Sequence, residues 1–315
     1  MHGQERQAVR DQGSEVEPET PWLIAVMGVT ASGKTEAAER LADRLGAVLV
    51  NADAFQVYRG LDIGTAKPEH RERYRLIDIL DPSEPFGVGD WVLRATEELR
   101  ALWSERRHVI VVGGTGQYVR ALFEEFRELH SAPDPELRRR LQARLREEGI
   151  EALATDLLRR APEVASRIDL KNPVRVCRAL ERLEETSEPI QFEVPPFRKI
   201  KFEVWRSPED RKERIRQRIA EMIARGWREE VESLVRAGVD ESYPALRAIG
   251  YFPILRHLQG RTSWPATVAE IEADTLRYAK RQLTWLKAEP GLIPVSASEE
   301  VEGWLEQSMP YLTTV

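Results

Sequence analysis

The run Gly28-Val29-Thr30-Ala31-Ser32-Gly33-Lys34-Thr35 has the spacing G-x-x-x-x-G-K-T, which is that of a phosphate cradle. In such a loop successive backbone N–H groups converge on phosphate oxygens, the helix that follows adds positive potential, the lysine is a mobile cation and the threonine hydroxyl can ligate Mg²⁺. Gly28 to Thr35 therefore predict a di- or triphosphate site, with Lys34 as its cation and Thr35 as the ligand to Mg²⁺, the one cofactor expected. Asp53 is the second candidate: it closes the apolar run Ala47-Val48-Leu49-Val50-Asn51-Ala52. By type alone it is either a turn carboxylate or a general base, and its place in front of the P-loop favours the base. The most apolar run in the chain, His108-Val109-Ile110-Val111-Val112, stops at Gly113-Gly114-Thr115-Gly116. Nucleoside triphosphatases usually carry an acid at such a strand end to hold Mg²⁺ and its water, so this end argues against ATP hydrolysis.

Buried strands and their helices must position these groups. Residues 22–27 read as a strand leading into the P-loop, residues 36–42 as the helix leaving it, and residues 47–53 and 108–112 as further strands. Ligands bind beyond the carboxyl ends of strands in open α/β sheets, so Asp53, the P-loop and residues 113–115 should face one pocket. A third strand is expected over 74–79, an amphipathic helix over 88–105, a strand over 200–205 and helices over 208–225, 228–237 and 268–287. Residues 135–182 read as wholly helical and rich in arginine. The expected fold is thus α/β: a P-loop NTPase-like parallel sheet flanked by helices, with an inserted all-helical subdomain. We divide the chain into a disordered extension (1–20), a catalytic core with C-terminal helices (21–130 and 200–295), a helical insert (131–199) and a tail (296–315).

With 47 Lys and Arg against 53 Asp and Glu, the chain carries a formal charge of −6, so a nucleic acid would have to meet a local basic face. The single cysteine, Cys177, precludes an intramolecular disulfide and fits a reducing cytoplasm; in its helical run an inert thiol is expected. No segment has the apolar length of a membrane span, and with no long uninterrupted apolar surface a cytoplasmic monomer is expected.

Several motifs together resemble the tRNA dimethylallyltransferase (tRNA isopentenyltransferase) family. They are GVTASGKT at 28–35, NADAFQVYRGLDIGTAKP at 51–68, GGTGQYVRAL at 113–122, NPVRVCRALE at 172–181, RIRQRIAEMIARG at 214–226, AIGY at 248–251 and RYAKRQLTW at 277–285. The resemblance implies transfer of a dimethylallyl group from dimethylallyl diphosphate to N6 of the adenosine immediately 3′ of the tRNA anticodon, with release of diphosphate. It also implies that the partner is the anticodon stem-loop and that the target base is flipped into the protein. Asp53 stands at the family's base position, Thr30 at the threonine near both substrates, and Arg218 at an arginine that helps hold diphosphate. The plainer reading of Arg214 and Arg218 is helix pairing with Glu213 or Glu221. Asp53, Ala54, Phe55 and Gln56 match the segment that touches the flipped base, with Phe55 where smaller or Met-like residues are common. Thr115 and Arg138 match tRNA contacts, and further contacts are expected around Arg175, Arg178 and Arg247.

The arginines of the insert, Arg138, Arg139, Arg140, Arg144 and Arg146, suit RNA phosphates, but a solvated helix with its neighbouring Glu136, Glu147 and Glu148 would look the same. The competing functions are an adenylate isopentenyltransferase acting on free AMP, ADP or ATP, a small-metabolite P-loop kinase, and an RNA-binding protein without turnover.

Overall fold

The computed structural model describes residues 20–124, 129, 134–184, 190, 192–297 and 303–304. The chain runs β1 (Trp22–Met27), α1 (Lys34–Leu45), β2 (Val48–Asn51), β3 (Tyr74–Arg75), α2 (Val88–Ser104), β4 (Val109–Gly113), α3 (Gly116–Phe123), α4 (Pro135–Arg160), α5 (Pro162–Ala165), α6 (Pro173–Glu184), β5 (Arg198–Trp205), α7 (Pro208–Ala224), α8 (Trp227–Arg236), α9 (Tyr251–Leu258), α10 (Trp264–Lys287) and β6 (Leu292–Ser296). All six strands are parallel, in the order β3-β2-β4-β1-β5-β6. The strand that feeds the P-loop therefore lies inside the sheet, where both faces are covered.

Alternation along the strands builds two cores. Leu23, Ala25 and Met27 of β1 pack with Val109 and Val111 against Trp91, Val92 and Leu99 of α2 and Leu122 of α3. Ile24 and Val26 face the other way, with Ile110, Val112 and Phe202, onto Ala38 and Leu41 of α1. A third core lies beyond the carboxyl ends of the strands, where Val57, Tyr58 and Leu61 meet Ile215, Trp227, Val231, Tyr251 and Ile271 from α7 to α10. The helices of the insert have a fourth core of their own, with Leu141, Leu153 and Leu157 of α4 against Val176 and Leu180 of α6.

Several expectations need correction. The strand expected over 74–79 covers only Tyr74–Arg75, because Leu76 and Asp78 take left-handed backbone angles that cannot continue a ladder. The helical run of the insert is broken: Gly149 (φ 81°) interrupts α4, and the short α5 separates it from α6. The last long helix starts at Trp264, not 268, with the Ser263 side chain accepting the Ala266 N–H and a proline in its first turn. Helix α9 and strand β6 have no counterpart in the sequence reading. The expected extension, apart from Thr20, lies outside the described residues, as does most of the expected tail. Within that tail, however, Trp304 is fully buried beside Phe202, with ring centroids 6.0 Å apart. Cys177 is half-buried on α6, where burial and nearby Glu181 push its thiol pKa up, as an inert thiol requires. No helix among the described residues is long and apolar enough to cross a membrane.

Removing the Trp304 ring would open a cavity beneath α1 and β5. Trp304→Ala is expected to lose about 3–5 kcal/mol of unfolding free energy, read from chemical denaturation.

Candidate active site

The phosphate loop takes its shape from two left-handed residues, Ala31 (φ 62°) and Gly33 (φ 89°), with the Ser32 N–H donating to Val29 O at 3.1 Å. Gly33 is the residue before α1, so Lys34 and Thr35 open the helix and its first N–H groups are presented to a ligand. From the β5 side Arg206 Nε donates to Ser32 O at 2.9 Å and holds the loop in place. Thr30, Lys34 and Thr35 line a cavity of about 1260 Å³, counted out to its open mouth, together with Asp53, Phe55, Gln56, Arg218, Arg247 and Gln282.

The electrostatics of this cavity suit an anion. Burial, and secondarily Arg218, lower the Lys34 pKa to about 8, while Asp53 acts in the opposite direction. Arg218 is depressed as well, chiefly by burial, and is favoured by Asp53, Glu221 and Glu36. The helix pairing considered for Arg218 does not form: it makes no ion pair with any described residue. Lys34 and Arg218, together with Arg247 and Arg281, thus converge on one cavity in whose described lining Asp53 is the single carboxylate.

Asp53 takes the first of the two capacities the sequence left open and leaves one oxygen for the second. Its Oδ1 accepts the N–H groups of Phe55 (2.9 Å) and Gln56 (3.3 Å), which makes it a turn carboxylate, while Oδ2 bonds no described residue. Buried Asn51 fixes the approach: its Oδ1 accepts the Asp53 N–H at 3.1 Å and its Nδ2 donates to Leu76 O at 3.0 Å. The Thr115 hydroxyl, expected at tRNA, accepts the Ala54 N–H at 3.1 Å and so locks the segment carrying Asp53. At Gly113, a methyl group would overlap the Ala52 carbonyl just beyond the neighbouring strand β2. The acid missing after Val112 is therefore excluded by contact between backbones.

A second groove, about 1790 Å³, meets the cavity at Phe55 and Arg247 and runs between the core and the insert, past Arg138, Arg139 and Arg146. Here several of the insert arginines are paired with acids, some of them across the helices of the insert and not on a solvated face. Arg138 forks onto buried Glu181 at 2.9 and 3.3 Å, Arg178 reaches the same carboxylate at 3.2 Å, Arg140 pairs with Glu184, and Arg144 with Glu148 and Asp156. Arg146 and Arg175 are exposed. Arg247, half-buried where groove and cavity join, is depressed by burial and by nearby Arg138, so it too is a cation awaiting an anion.

A family model described as IPP transferase matches residues 56–289, and one described as isopentenyl transferase matches residues 21–78. The chain belongs to the IPP transferase family. It is 40% identical over 280 residues to the tRNA dimethylallyltransferase of Syntrophobacter fumaroxidans, covering 85% of this chain and 81% of the relative. It is 38% identical over 307 residues to tRNA dimethylallyltransferase 1 of Pelobacter propionicus, covering 94% and 96%. Among solved structures, the tRNA isopentenylpyrophosphate transferase of Bacillus halodurans superimposes with a TM-score of 0.66 at 31% identity, covering 92% of this chain and 95% of that one. A eukaryotic dimethylallyltransferase solved while acting on tRNA shares the fold, with a TM-score of 0.69 at 19% identity.

For this IPP transferase the sequence reading missed the groups that stiffen the site. Glu230 of α8 accepts the N–H groups of Asp62 (2.7 Å), Ile63 (2.7 Å) and Gly64 (3.2 Å), and the Tyr251 hydroxyl at 2.6 Å. Lys67 is buried and spent on Tyr58 O, Asp62 and Asp78, so the lysine of DIGTAKP is an internal tie and not a phosphate ligand. Gln56 Nε2 donates to the carbonyls of Thr65 and Ala66 at 3.1 and 3.2 Å. A loop this dense in polar side chains did signal function; that its polar groups satisfy one another depends on α8, 160 and more residues away in the chain.

The depressed Lys34 gives a signed pH prediction. At pH 8.5 the free enzyme holds Lys34 mostly neutral, and a bound dianion restores its charge, so binding should take up a proton; below about pH 6.5 Lys34 is already charged and contributes none. Calorimetry of an alkyl diphosphate in buffers of different ionisation enthalpy should record this uptake at pH 8.5 and lose it in Lys34→Met.

Proposed function

We propose that this chain transfers a dimethylallyl group from dimethylallyl diphosphate to N6 of the adenosine immediately 3′ of the anticodon in tRNA. The observation that carries the reading is the convergence of Lys34, Arg218 and Asp53 on one cavity that opens into an arginine-bearing groove.

In this reading the P-loop holds a leaving group. The donor's diphosphate lies on the N–H groups of residues 33–35 at the start of α1 with Lys34 and Arg218 beside it, and as the C1–O bond breaks, negative charge grows where these fixed donors already point. The lone pair of N6 forms the new bond to C1, and the proton of N6 passes to Asp53 Oδ2, the carboxylate oxygen left free by the turn. Phe55 and Gln56, fixed to the same carboxylate, flank the extruded base, and Thr30 stands between donor and acceptor. The Thr35 hydroxyl bonds no described residue and lines the cavity, and it fits Mg²⁺ as one hard oxygen donor beside the diphosphate. When bound, the ion would supply further neutralisation of the departing charge.

The groove favours a macromolecular acceptor over free AMP, since a mononucleotide held in the cavity would leave the groove that runs on past Arg146 unused. Among the insert arginines, those that pair with buried acids contribute to its packing, and the phosphate contacts fall to Arg146 and Arg175, joined by Arg247 from the core. The large exposed apolar side chains are scattered over α2, α4, α6, β5, α8 and α9, so we take the enzyme to work as a monomer.

Incubating the enzyme with dimethylallyl diphosphate, Mg²⁺ and either unmodified tRNA or AMP should yield prenylated RNA and no prenylated AMP; labelled AMP alone would overturn the reading. Asp53→Ala should slow the single-turnover rate by about 10²-fold or more while leaving tRNA affinity within a few-fold. An unchanged rate would remove Asp53 as the base.

A further inference from the structure

Gln282 lies on α10, in the most C-terminal long helix of the chain, and is 7% exposed. Its side-chain amide ends between two loops that carry opposite halves of the site. Oε1 accepts the backbone N–H of Thr30 in the phosphate loop at 2.9 Å, and Nε2 donates to the carbonyl of Gly114 in the loop after β4 at 2.9 Å. The next residue, Thr115, receives the Ala54 N–H on its hydroxyl at 3.1 Å and donates its own N–H to Ala52 O at 3.2 Å, and Ala52 and Ala54 flank Asp53. A connected path of hydrogen bonds and peptide units thus runs from the phosphate loop, through one glutamine, to the segment that carries the carboxylate.

We propose that Gln282 is a positioning residue that sets the distance between the diphosphate cradle and Asp53. The inference rests on the prenyl-transfer reading given above. Displacement at C1 needs the incoming nitrogen and the departing oxygen on opposite sides of one carbon, so the span between base and cradle is itself a catalytic parameter, and an error near 1 Å can cost about 10²-fold in rate. The β-sheet does not fix this span by itself, because both groups lie on loops beyond the strand ends. An amide is the required chemistry: Thr30 offers a donor and Gly114 an acceptor, so the bridging group must accept at one end and donate at the other. A carboxylate of the same length would satisfy Thr30 and repel Gly114 O.

The contact is also close. A methyl group on Gly114 would stand 2.5 Å from Gln282 Nε2, so Gly114→Ala pushes on the same junction from the opposite side. Gln282 touches neither reacting atom in this account, and the Thr30 N–H it occupies is withdrawn from phosphate binding.

The test measures single-turnover prenylation of tRNA at saturating donor and RNA, with donor and RNA affinities measured alongside. Gln282→Met keeps the side-chain volume and removes both hydrogen bonds; it should slow the chemical step about 10- to 100-fold while both affinities stay within about threefold. Gln282→Glu, nearly isosteric, should be at least as slow. Gly114→Ala should show the same separation of rate from affinity, and combined with Gln282→Met it should slow the reaction no further, because both act on one junction. A Gln282→Met rate within twofold of the parent, a loss confined to donor or RNA affinity, or full multiplication of the two effects would each overturn the proposal. If Gln282→Met does not fold, as judged by thermal melting, Gly114→Ala decides alone, on the same rate and affinity criteria. The parent enzyme in the same assay keeps the two claims apart: no product from it sinks the functional reading, whereas product from the parent with an unimpaired variant sinks only the role of Gln282.

Discussion

Two cations held together away from water are the constraint around which the site is organised. Lys34 and Arg218 repel one another and both resist burial, and with Asp53 as the acid close to both, the cavity lining is in an unfavourable electrostatic state. Such a state survives only if the surrounding chain cannot relax, and the polar ties around it supply that stiffness. Arg206 braces the loop from β5, Glu230 gathers three backbone N–H groups of the 62–64 turn, and Lys67 is locked among carbonyl and carboxylate oxygens. Preorganisation of this kind lets a developing anion be stabilised without further rearrangement.

The same logic divides the arginines of the chain into two populations. Arg138, Arg140, Arg144 and Arg178 have found acids within the insert: Arg138 and Arg140 tie α4 to α6, while Arg144 and Arg178 pair within their own helices. Arg218 and Arg247 have their charge directed into cavity or groove. Sequence could not separate the two groups, since both are arginines among glutamates on helices; the distinction is made by which carboxylate a fold brings near.

What the sequence made legible was local. The P-loop, its strand and its helix announce themselves through glycine spacing and one change of periodicity, and Asp53 through its place at a strand end. The core strands were equally plain because burial on both faces leaves an unbroken apolar run. The short β3 was not, since left-handed angles at Leu76 and Asp78 are set by the Asn51 and Lys67 contacts around them and not by residue type. Strand β6 was hidden because its pattern, Leu292-Ile293-Pro294-Val295-Ser296, contains a proline that only an edge strand accommodates. Asn51 and Gln282 stood inside motifs and Glu230 did not, yet the role of each was hidden for a common reason: each is a single polar residue whose partners come from a distant part of the chain or from backbone groups with no sequence signature.

Gly113 carries an implication for how such an enzyme could change. The backbone of residue 52 comes so near its α-carbon that no side chain fits, so the carboxylate that triphosphatases use to ready a water molecule is shut out by the spacing of two neighbouring strands. Gaining an acid at this strand end is accordingly not one substitution away: it would require prising β2 from β4.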